Sequence, residues 1–201
     1  VSDFMAKVPT DVVVVLDEAY FEYVGESDYC DGLTLLPEYP NLVITRTFSK
    51  AYGLASLRIG YGISAPEIAD LMNRVRPPFN VNSFALAAAV ATLNDDEYVA
   101  ESKAVNDAGM AYLTQAFDDM GLPYIPSVGN FISFEIPTEI DQKPTNISAS
   151  EVNAQLLANG VIIRPVANYE MPTYLRASIG TAKENETFIA KLKNILADAR
   201  S

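Results

Sequence analysis

The chain has 201 residues, of which 49% are hydrophobic and 20% charged, a composition typical of a folded globular protein with a sizeable core. Its 14 basic and 26 acidic residues give a net charge of -12, which disfavours nucleic acid and anionic membranes as partners. Histidine is absent and Cys30 is the single cysteine. We therefore predict no metal site and no intrachain disulfide, and we expect a cytoplasmic location.

Three strands are predicted in the first part of the chain, over residues 11–16, 42–45 and 58–63. The first of them, DVVVVL, is a continuous apolar and β-branched run, which is typical of a parallel strand covered on both faces. Three strands make a thin sheet. We therefore expect further strands from residues that precede Val1 in a longer protein.

Helical patterns follow these strands. Residues 67–75 predict a helix that ends at RPPFN, because proline cannot donate to the helical hydrogen-bond ladder. An alanine-rich helix is predicted over residues 83–93. A long helix over residues 95–120, ended by Gly121 and Pro123, is of the length that often bridges two lobes.

The last part of the chain alternates strands and helices, which predicts a compact α+β lobe. The predicted strands cover residues 130–136, 161–164 and 174–179, and the predicted helices cover residues 148–159 and 183–199. Ser148 and Glu151 have the spacing of a capping box at a helix start. We predict an α/β protein with two domains, residues 1–94 and 95–201.

One lysine stands out for its surroundings. Lys50 lies in residues 47–60, TFSKAYGLASLRIG, with hydroxyl side chains before it and Arg58 after it, downstream of a strand that ends in LDEAY. An amine among small residues and near an arginine suits condensation with an aldehyde that carries a phosphate. The arrangement indicates a site for pyridoxal 5'-phosphate (PLP), against the alternative of a solvated surface lysine.

Four ordered motifs resemble those of the histidinol-phosphate aminotransferases, a branch of the fold type I PLP enzymes to which aspartate aminotransferase belongs. They are VLDEAY at 15–20, TFSKAYGL at 47–54, RIGY at 58–61 and RPPFNVN at 76–82, of which the last points to this branch. The resemblance covers essentially the whole chain, but only the C-terminal half or somewhat more of such an enzyme. It implies part of a PLP-binding large-domain sheet in residues 1–94, and a bridging helix with a small α+β domain in residues 95–201.

The resemblance also implies roles for individual residues. Lys50 matches the lysine that binds the cofactor covalently and moves a proton at the substrate Cα, and Asp17 matches the carboxylate that faces the pyridine nitrogen. Tyr20 matches the hydrogen-bond donor to the ring hydroxyl, whereas we expect Glu18 to be solvent-facing or structural. The residues that match the phosphate-binding group are Thr47, Ser49 and Arg58.

Substrate-binding residues are implied in the second part of the chain. Arg176 resembles the arginine that binds the substrate carboxylate, Arg164 a second arginine that helps hold the substrate phosphate, and Asn130 an asparagine that opens the strand beside this site. An unpaired arginine in an apolar strand is costly, so each arginine needs an anion, either a substrate or a structural partner. The implied reaction is transamination of histidinol phosphate with 2-oxoglutarate, giving imidazole acetol phosphate and glutamate, in a homodimer.

Other interpretations stay open. An aromatic-amino-acid aminotransferase or a threonine-phosphate decarboxylase of the same fold would use most of the same residues. The chain alone could also be an inactive fragment, since the family places further cofactor-binding groups before the position of Val1. Gly60, Gly62 and Ala65 fit a dinucleotide-binding G-x-G-x-x-A motif, but the acidic residue expected about 20 positions later is missing.

Overall fold

The computed structural model describes residues 1–140 and 143–199. The chain divides into two compact units, Val1–Ser102 and Lys103–Ser201. No helix in the described part of the chain is both long and apolar enough to cross a membrane.

The first unit contains a three-stranded sheet in the order β1-β2-β3. Strands β1 and β2 are parallel, with Asp17 opposite Thr45, and β3 is antiparallel to β2, with Gly60 opposite Thr47. The carboxyl ends of β1 and β2 and the amino end of β3 therefore lie at the same edge of the sheet. The elements up to this point are α1 (Ser2–Met5), β1 (Val14–Asp17), β2 (Leu42–Thr47) and β3 (Gly60–Ser64).

Strand β1 differs from the prediction. It covers Val14–Asp17 rather than residues 11–16, and Val13 and Val15 are 57% and 60% exposed within this chain. Cover on both faces, which was expected to include residues that precede Val1, stays a prediction. The opposite face of β1 meets a local core. That core contains Met5, Leu35, Leu42 and Ile44, with Val14 and Leu16 packed against it.

The helical predictions are confirmed to within a residue or so at each end. Helices α2 (Pro66–Val75) and α3 (Ser83–Thr92) follow β3, and α3 is capped by Asn82, whose Oδ1 accepts a hydrogen bond from Ala85 N at 2.9 Å. Helix α4 (Asp96–Met120) begins in the first unit and ends in the second. It stops at Gly121, where a φ of +68° makes glycine the favoured residue.

The second unit is an antiparallel sheet, in the order β4-β5-β9-β8, packed with helices. Its elements are β4 (Tyr124–Ile125), β5 (Phe131–Glu135), β6 (Glu139–Ile140), β7 (Lys143–Pro144), α5 (Ala149–Ala158), β8 (Arg164–Pro165), β9 (Tyr174–Ser178) and α6 (Ala182–Asp198). The fully buried rings of Phe117 and Phe134 stack with their centroids 4.6 Å apart at the centre of its core. This is the predicted α+β arrangement.

Two features of the second unit depart from the sequence-based prediction. The strand predicted over residues 161–164 is reduced to Arg164–Pro165, since only these residues pair with β9 after the left-handed exit from α5 at Gly160. Strand β4 and the β6–β7 hairpin were not predicted, because strands of two residues carry no periodic pattern. The capping box of Ser148 and Glu151 is confirmed.

Candidate active site

Six of the predicted site residues lie on segments that meet at one edge of the first sheet. Strand β1 ends at Asp17 and β2 ends at Thr47, while β3 begins at Gly60 opposite Thr47. Ligands of open α/β sheets bind outside the carboxyl ends of parallel strands. The residues carried by these three strand ends are Asp17, Tyr20, Thr47, Ser49, Lys50 and Arg58.

Asp17 is the last residue of β1, and it is exposed. Thr45 Oγ1, on the neighbouring strand, donates a hydrogen bond to Asp17 Oδ1 at 3.1 Å. This contact fixes the carboxylate while its second oxygen stays available. A carboxylate held in this way can accept a hydrogen bond from a protonated ring nitrogen.

Lys50 begins a tight turn after β2. Gly53 N donates to Lys50 O at 2.9 Å, and Leu54 N donates to Phe48 O at 2.9 Å, so the loop folds back on the end of the strand. Lys50 Nζ lies 5.1 Å from the centre of the Tyr20 ring, within cation–π range. None of the ion pairs among the described residues involves Lys50, and its amine is partly accessible.

The three predicted phosphate-binding residues lie around this turn. Thr47 Oγ1 accepts a hydrogen bond from Ser49 N at 3.1 Å, which orders the segment that leads to Lys50. Arg58 has a left-handed backbone with φ of +55°, and its Nη1 donates to Ala55 O at 2.8 Å. Its guanidinium is exposed and forms no ion pair within the described ranges, which leaves donors for an anion.

A cluster of aromatic side chains packs against residues 50–54, here called the lysine turn. The buried ring of Phe48 lies 5.0 Å from the ring of Tyr52 and 5.5 Å from the ring of Tyr61. Ile59, Ala85 and Ala89 complete this small core. Burial raises the pKa of Tyr52, and the nearby Glu22 carboxylate raises it further. The hydroxyl of Tyr52 therefore stays protonated over the physiological pH range.

Gly53 is the tightest point of the turn. Its φ is +70°, and a Cβ placed on it would lie 2.6 Å from Tyr98 Oη. Tyr98 belongs to the first turn of α4, so the start of that helix packs directly on the lysine turn. Sequence reasoning missed Tyr98, because no local pattern indicates a contact between these two segments.

Glu18 and Arg46 are the main residues that sequence reasoning left unassigned or missed. Glu18 is 3% exposed and Arg46 9% exposed, and they form a buried ion pair at 2.7 Å, so Glu18 is structural rather than solvent-facing. Burial lowers the pKa of Arg46, but the hydrogen bond and charge of Glu18 and the charge of Asp31 outweigh it, so the net shift is upward. The alternation of strand residues was the signal that could have placed both side chains on the face opposite Asp17 and Thr45.

Glu22 is a second carboxyl group behind the site. Its Oε2 is buried without a hydrogen-bond partner among the described residues. Burial raises the pKa of Glu22 above its ordinary value, although a backbone hydrogen bond and the charge of Arg46 oppose the shift. The folded state therefore holds the proton of Glu22 more tightly than the unfolded chain does.

Three predicted substrate residues lie in the second unit. Arg164 and Arg176 are direct cross-strand partners on β8 and β9, and the Arg176 guanidinium carbon lies 4.8 Å from the centre of the Phe131 ring. Arg164 is exposed and Arg176 is only partly buried. The expectation that each arginine needs an anion because it is buried is therefore wrong for Arg164. Neither arginine forms an ion pair with the residues that the structure describes. Asn130 O accepts from Ile179 N at 2.9 Å just before β5.

The dinucleotide-binding interpretation does not match the structure. Gly60 and Gly62 lie inside β3, whereas that motif requires a turn between a strand and a helix. Gly60 has a packing reason instead, since a Cβ on it would lie 2.8 Å from Arg46 O on the neighbouring strand. Gly60 therefore serves the close approach of β3 to β2.

The fold and the residues at this sheet edge define a protein of the fold type I aminotransferase class. Residues 2–192 match the family of class I and II aminotransferases, and the chain belongs to this family. It is 54% identical to histidinol-phosphate aminotransferase 2 of Pseudomonas fluorescens, over 98% of this chain and 51% of that protein. It is 55% identical to the histidinol-phosphate aminotransferase of Methylobacillus flagellatus, over 96% of this chain and 50% of that protein.

A solved structure gives the same result for the fold. The histidinol-phosphate aminotransferase of Sinorhizobium meliloti, in complex with pyridoxal-5'-phosphate, matches with a TM-score of 0.84 and 30% identity, over 98% of this chain and 52% of that one. The predicted fold class is confirmed. The chain spans about half the length of the curated relatives it matches.

Proposed function

We propose that this chain carries the lysine-bearing part of a PLP-dependent aminotransferase that acts on histidinol phosphate. The observation that carries the proposal is the convergence of three strand ends, which presents Asp17, Lys50 and Arg58 at one edge of the sheet. The names of the relatives that share about half of its residues support the same substrate.

The residues present fit the cofactor chemically. PLP carries an aldehyde, a basic ring nitrogen, a ring hydroxyl and a phosphate. The site offers an amine at Lys50 that forms no ion pair with the described residues, a carboxylate at Asp17 oriented by Thr45, a phenol at Tyr20 and an exposed guanidinium at Arg58. Each group of the cofactor thus has a partner of complementary charge or hydrogen-bonding capacity.

Lys50 has two roles in this proposal. Its amine would condense with the cofactor aldehyde with loss of water. Once the substrate amine has displaced it, the free amine would take the proton from the substrate Cα and deliver it to the former aldehyde carbon. Bound PLP supplies an electron sink for the charge that develops at that carbon. The Tyr20 ring below Nζ and the turn closed by Gly53 restrict where the amine can reach. A restricted amine in the correct position avoids the entropic cost of orientation.

Asp17 and Tyr20 act on the ring of the cofactor. Asp17, oriented by Thr45, holds a proton on the ring nitrogen and so keeps the ring electron-poor. Tyr20 donates to the ring hydroxyl. Thr47 and Ser49 supply hydroxyl donors to the phosphate, and Arg58 supplies a planar cation that suits phosphate oxygens.

The second unit supplies the substrate anion sites in this proposal. Arg176 binds the carboxylate of 2-oxoglutarate or glutamate, since histidinol phosphate has none, and Arg164 helps hold the phosphate of histidinol phosphate. Asn130, just before β5 of the same sheet, is the third substrate residue. 2-Oxoglutarate is the amino acceptor, and the products are imidazole acetol phosphate and glutamate. We place the enzyme in the cytoplasm as a homodimer, and we assign residues 1–94 to the large domain and residues 95–201 to the bridging helix and small domain.

The test uses Lys50→Ala in the full-length protein, with Lys7→Ala at an exposed position of the same unit as the control. Wild type and the control should develop the visible absorption of a covalently bound PLP, and Lys50→Ala should not. An amine-donor panel then tests the substrate. Turnover with phenylalanine or threonine phosphate but not with histidinol phosphate would contradict the proposed substrate while leaving the cofactor assignment intact.

A further inference from the structure

The face of the sheet opposite Asp17 contains a buried polar cluster centred on Glu18. Glu18 Oε1 accepts hydrogen bonds from Gly32 N at 2.8 Å and from Tyr29 Oη at 3.0 Å, and Oε2 accepts from Arg46 Nε at 2.9 Å and Nη2 at 2.7 Å. Burial and the hydrogen bond to Glu18 raise the pKa of Tyr29 to about 12. Each carboxylate oxygen of Glu18 thus accepts two hydrogen bonds.

Arg46 is equally constrained. Besides its fork to Glu18, its Nη2 donates to Asp31 Oδ1 at 2.7 Å. Its guanidinium carbon lies 3.6 Å from the centre of the Phe21 ring, a stacking distance. The two hydrogen bonds to Glu18, the hydrogen bond to Asp31 and the stacking on Phe21 all use the planar guanidinium, which lysine lacks.

Both members of the pair are direct neighbours of site residues along the chain. Glu18 follows Asp17, and Arg46 lies between Thr45 and Thr47 on β2. Successive side chains of a strand point to opposite faces. An ion pair that holds side chains on one face of β1 and β2 therefore also fixes, through the backbone, the positions of the residues on the other face. Glu18 N also donates to Thr45 O at 2.8 Å, which ties the two strand ends together.

We infer that the Glu18–Arg46 pair is a positioning pair for the cofactor site, holding Asp17 and the Thr47–Lys50 segment in register with each other. The inference rests on the proposed function, since it assigns these residues a duty toward the PLP ring and phosphate. A buried ion pair is often no more stabilising than apolar residues of similar volume, so net stability alone explains this cluster poorly. A role in fixing the positions of the two strand ends relative to each other explains the cluster directly.

The variants are Glu18→Gln and Arg46→Lys in the full-length protein. Glutamine keeps the shape of Glu18 but not its charge, and lysine keeps the charge of Arg46 but not its fork. Asp70→Asn and Arg74→Lys make the same chemical changes in an ion pair whose side chains are 59% and 68% exposed. Leu35→Ala, in the apolar core under β2, controls for loss of stability without loss of the pair.

The decisive measurement is the pH midpoint of the visible absorption of the bound cofactor. This midpoint reports the basicity of the nitrogen that joins Lys50 to PLP, which a protonated ring lowers. A displaced Asp17 no longer holds the ring proton, so Glu18→Gln and Arg46→Lys should raise the midpoint by on the order of one pH unit. They should also weaken PLP binding roughly tenfold, and the Glu18 amide should exchange its hydrogen faster in cofactor-free protein.

The controls separate positioning from stability. Asp70→Asn and Arg74→Lys should leave all three quantities unchanged, and Leu35→Ala should lower the melting temperature without moving the pH midpoint. If both pair variants lose stability but keep the wild-type midpoint and PLP affinity, the pair is structural only and the inference is overturned. If Glu18→Gln does not fold, Arg46→Lys decides in the same way. Absence of the band in wild type would instead overturn the proposed function.

Discussion

Arg164 and Arg176 are direct partners across the antiparallel strands β8 and β9. Like charges directly opposite each other destabilise a sheet. Neither side chain forms an ion pair with any residue in the described ranges, although many acidic residues are available in the chain. We expect this cross-strand arginine pair to bind an anion, because one bound anion would offset the repulsion between the two guanidinium groups.

Inorganic phosphate should therefore raise the melting temperature of the full-length protein, and more strongly at low ionic strength. Arg164→Gln and Arg176→Gln should each remove most of this increase. Arg74→Gln, which removes one charge from an exposed ion pair, should keep it. The measurement is a thermal denaturation series in phosphate at two salt concentrations. An equal response in all three variants would contradict the assignment of the arginines.

Asp17→Asn should separate charge from shape at the cofactor ring. Asparagine can still accept the hydrogen bond from Thr45 Oγ1, but it cannot neutralise a protonated ring nitrogen. A hydrogen bond between charged groups contributes about 1.5–3 kcal/mol, so we expect PLP affinity to fall roughly tenfold to a hundredfold. Titration of cofactor-free protein with PLP measures this. Asp11→Asn, at an exposed position before β1, should bind as wild type does.

The two glycines Gly53 and Gly62 should respond differently to alanine. At Gly53 the left-handed backbone costs about 1–2 kcal/mol for any other residue, and the new Cβ would lie 2.6 Å from Tyr98 Oη. At Gly62 the nearest atom to a new Cβ is 3.8 Å away, so alanine fits. Denaturation should show a clear loss of stability for Gly53→Ala and little change for Gly62→Ala.

Tyr98→Phe tests the second part of this explanation. It removes the hydroxyl oxygen that a Cβ at position 53 would meet, but it leaves the backbone strain. The double variant should therefore recover part of the stability that Gly53→Ala loses, a non-additive result expected only for residues in contact. Strict additivity would show that the Tyr98 contact is unimportant.

Glu22→Gln should change how stability depends on pH. The pKa of folded Glu22 is raised by burial above its ordinary value of 4.5, so the folded state holds this proton more tightly than the unfolded chain does. The stability contribution of Glu22 is therefore fully present below pH 4.5 and decreases as pH rises through the raised pKa.

Relative to wild type, Glu22→Gln should thus gain stability between pH 4 and pH 7, because the variant has no proton to lose. Circular dichroism during chemical denaturation at the two pH values measures the difference, since the chain has no tryptophan. Glu38→Gln, at an exposed position of the same unit, should show no such change. A pH-independent difference for Glu22→Gln would mean that its burial does not control the titration.

The lysine turn shows how far sequence reasoning reaches. The resemblance of residues 47–54 to a family motif identified the segment, and hydrophobic periodicity identified the helices and most strands around it. Gly121 and Gly160 predicted helix ends correctly, because left-handed exits need glycine. These are properties of single residues or short windows.

Long-range pairing is what the sequence did not reveal. Glu18 and Arg46 are 28 residues apart, and their contact depends on the register that sets Asp17 opposite Thr45. The opposition of Arg164 and Arg176 likewise depends on the register of β8 with β9. The difference in exposure between the two faces of β1 within this chain could not be predicted either, since a run of valines has no period-two pattern.

The alternation along β2 has a consequence for insertions and deletions. Thr45 and Thr47 lie on the face of β2 that contacts Asp17, and Arg46 lies on the buried face, because the side chains alternate with a period of two. A shift of one residue would turn Arg46 toward the site and direct two threonine hydroxyls into the cluster around Glu18. A single-residue insertion just before Thr45 would therefore reverse the faces of Thr45, Arg46 and Thr47 at once.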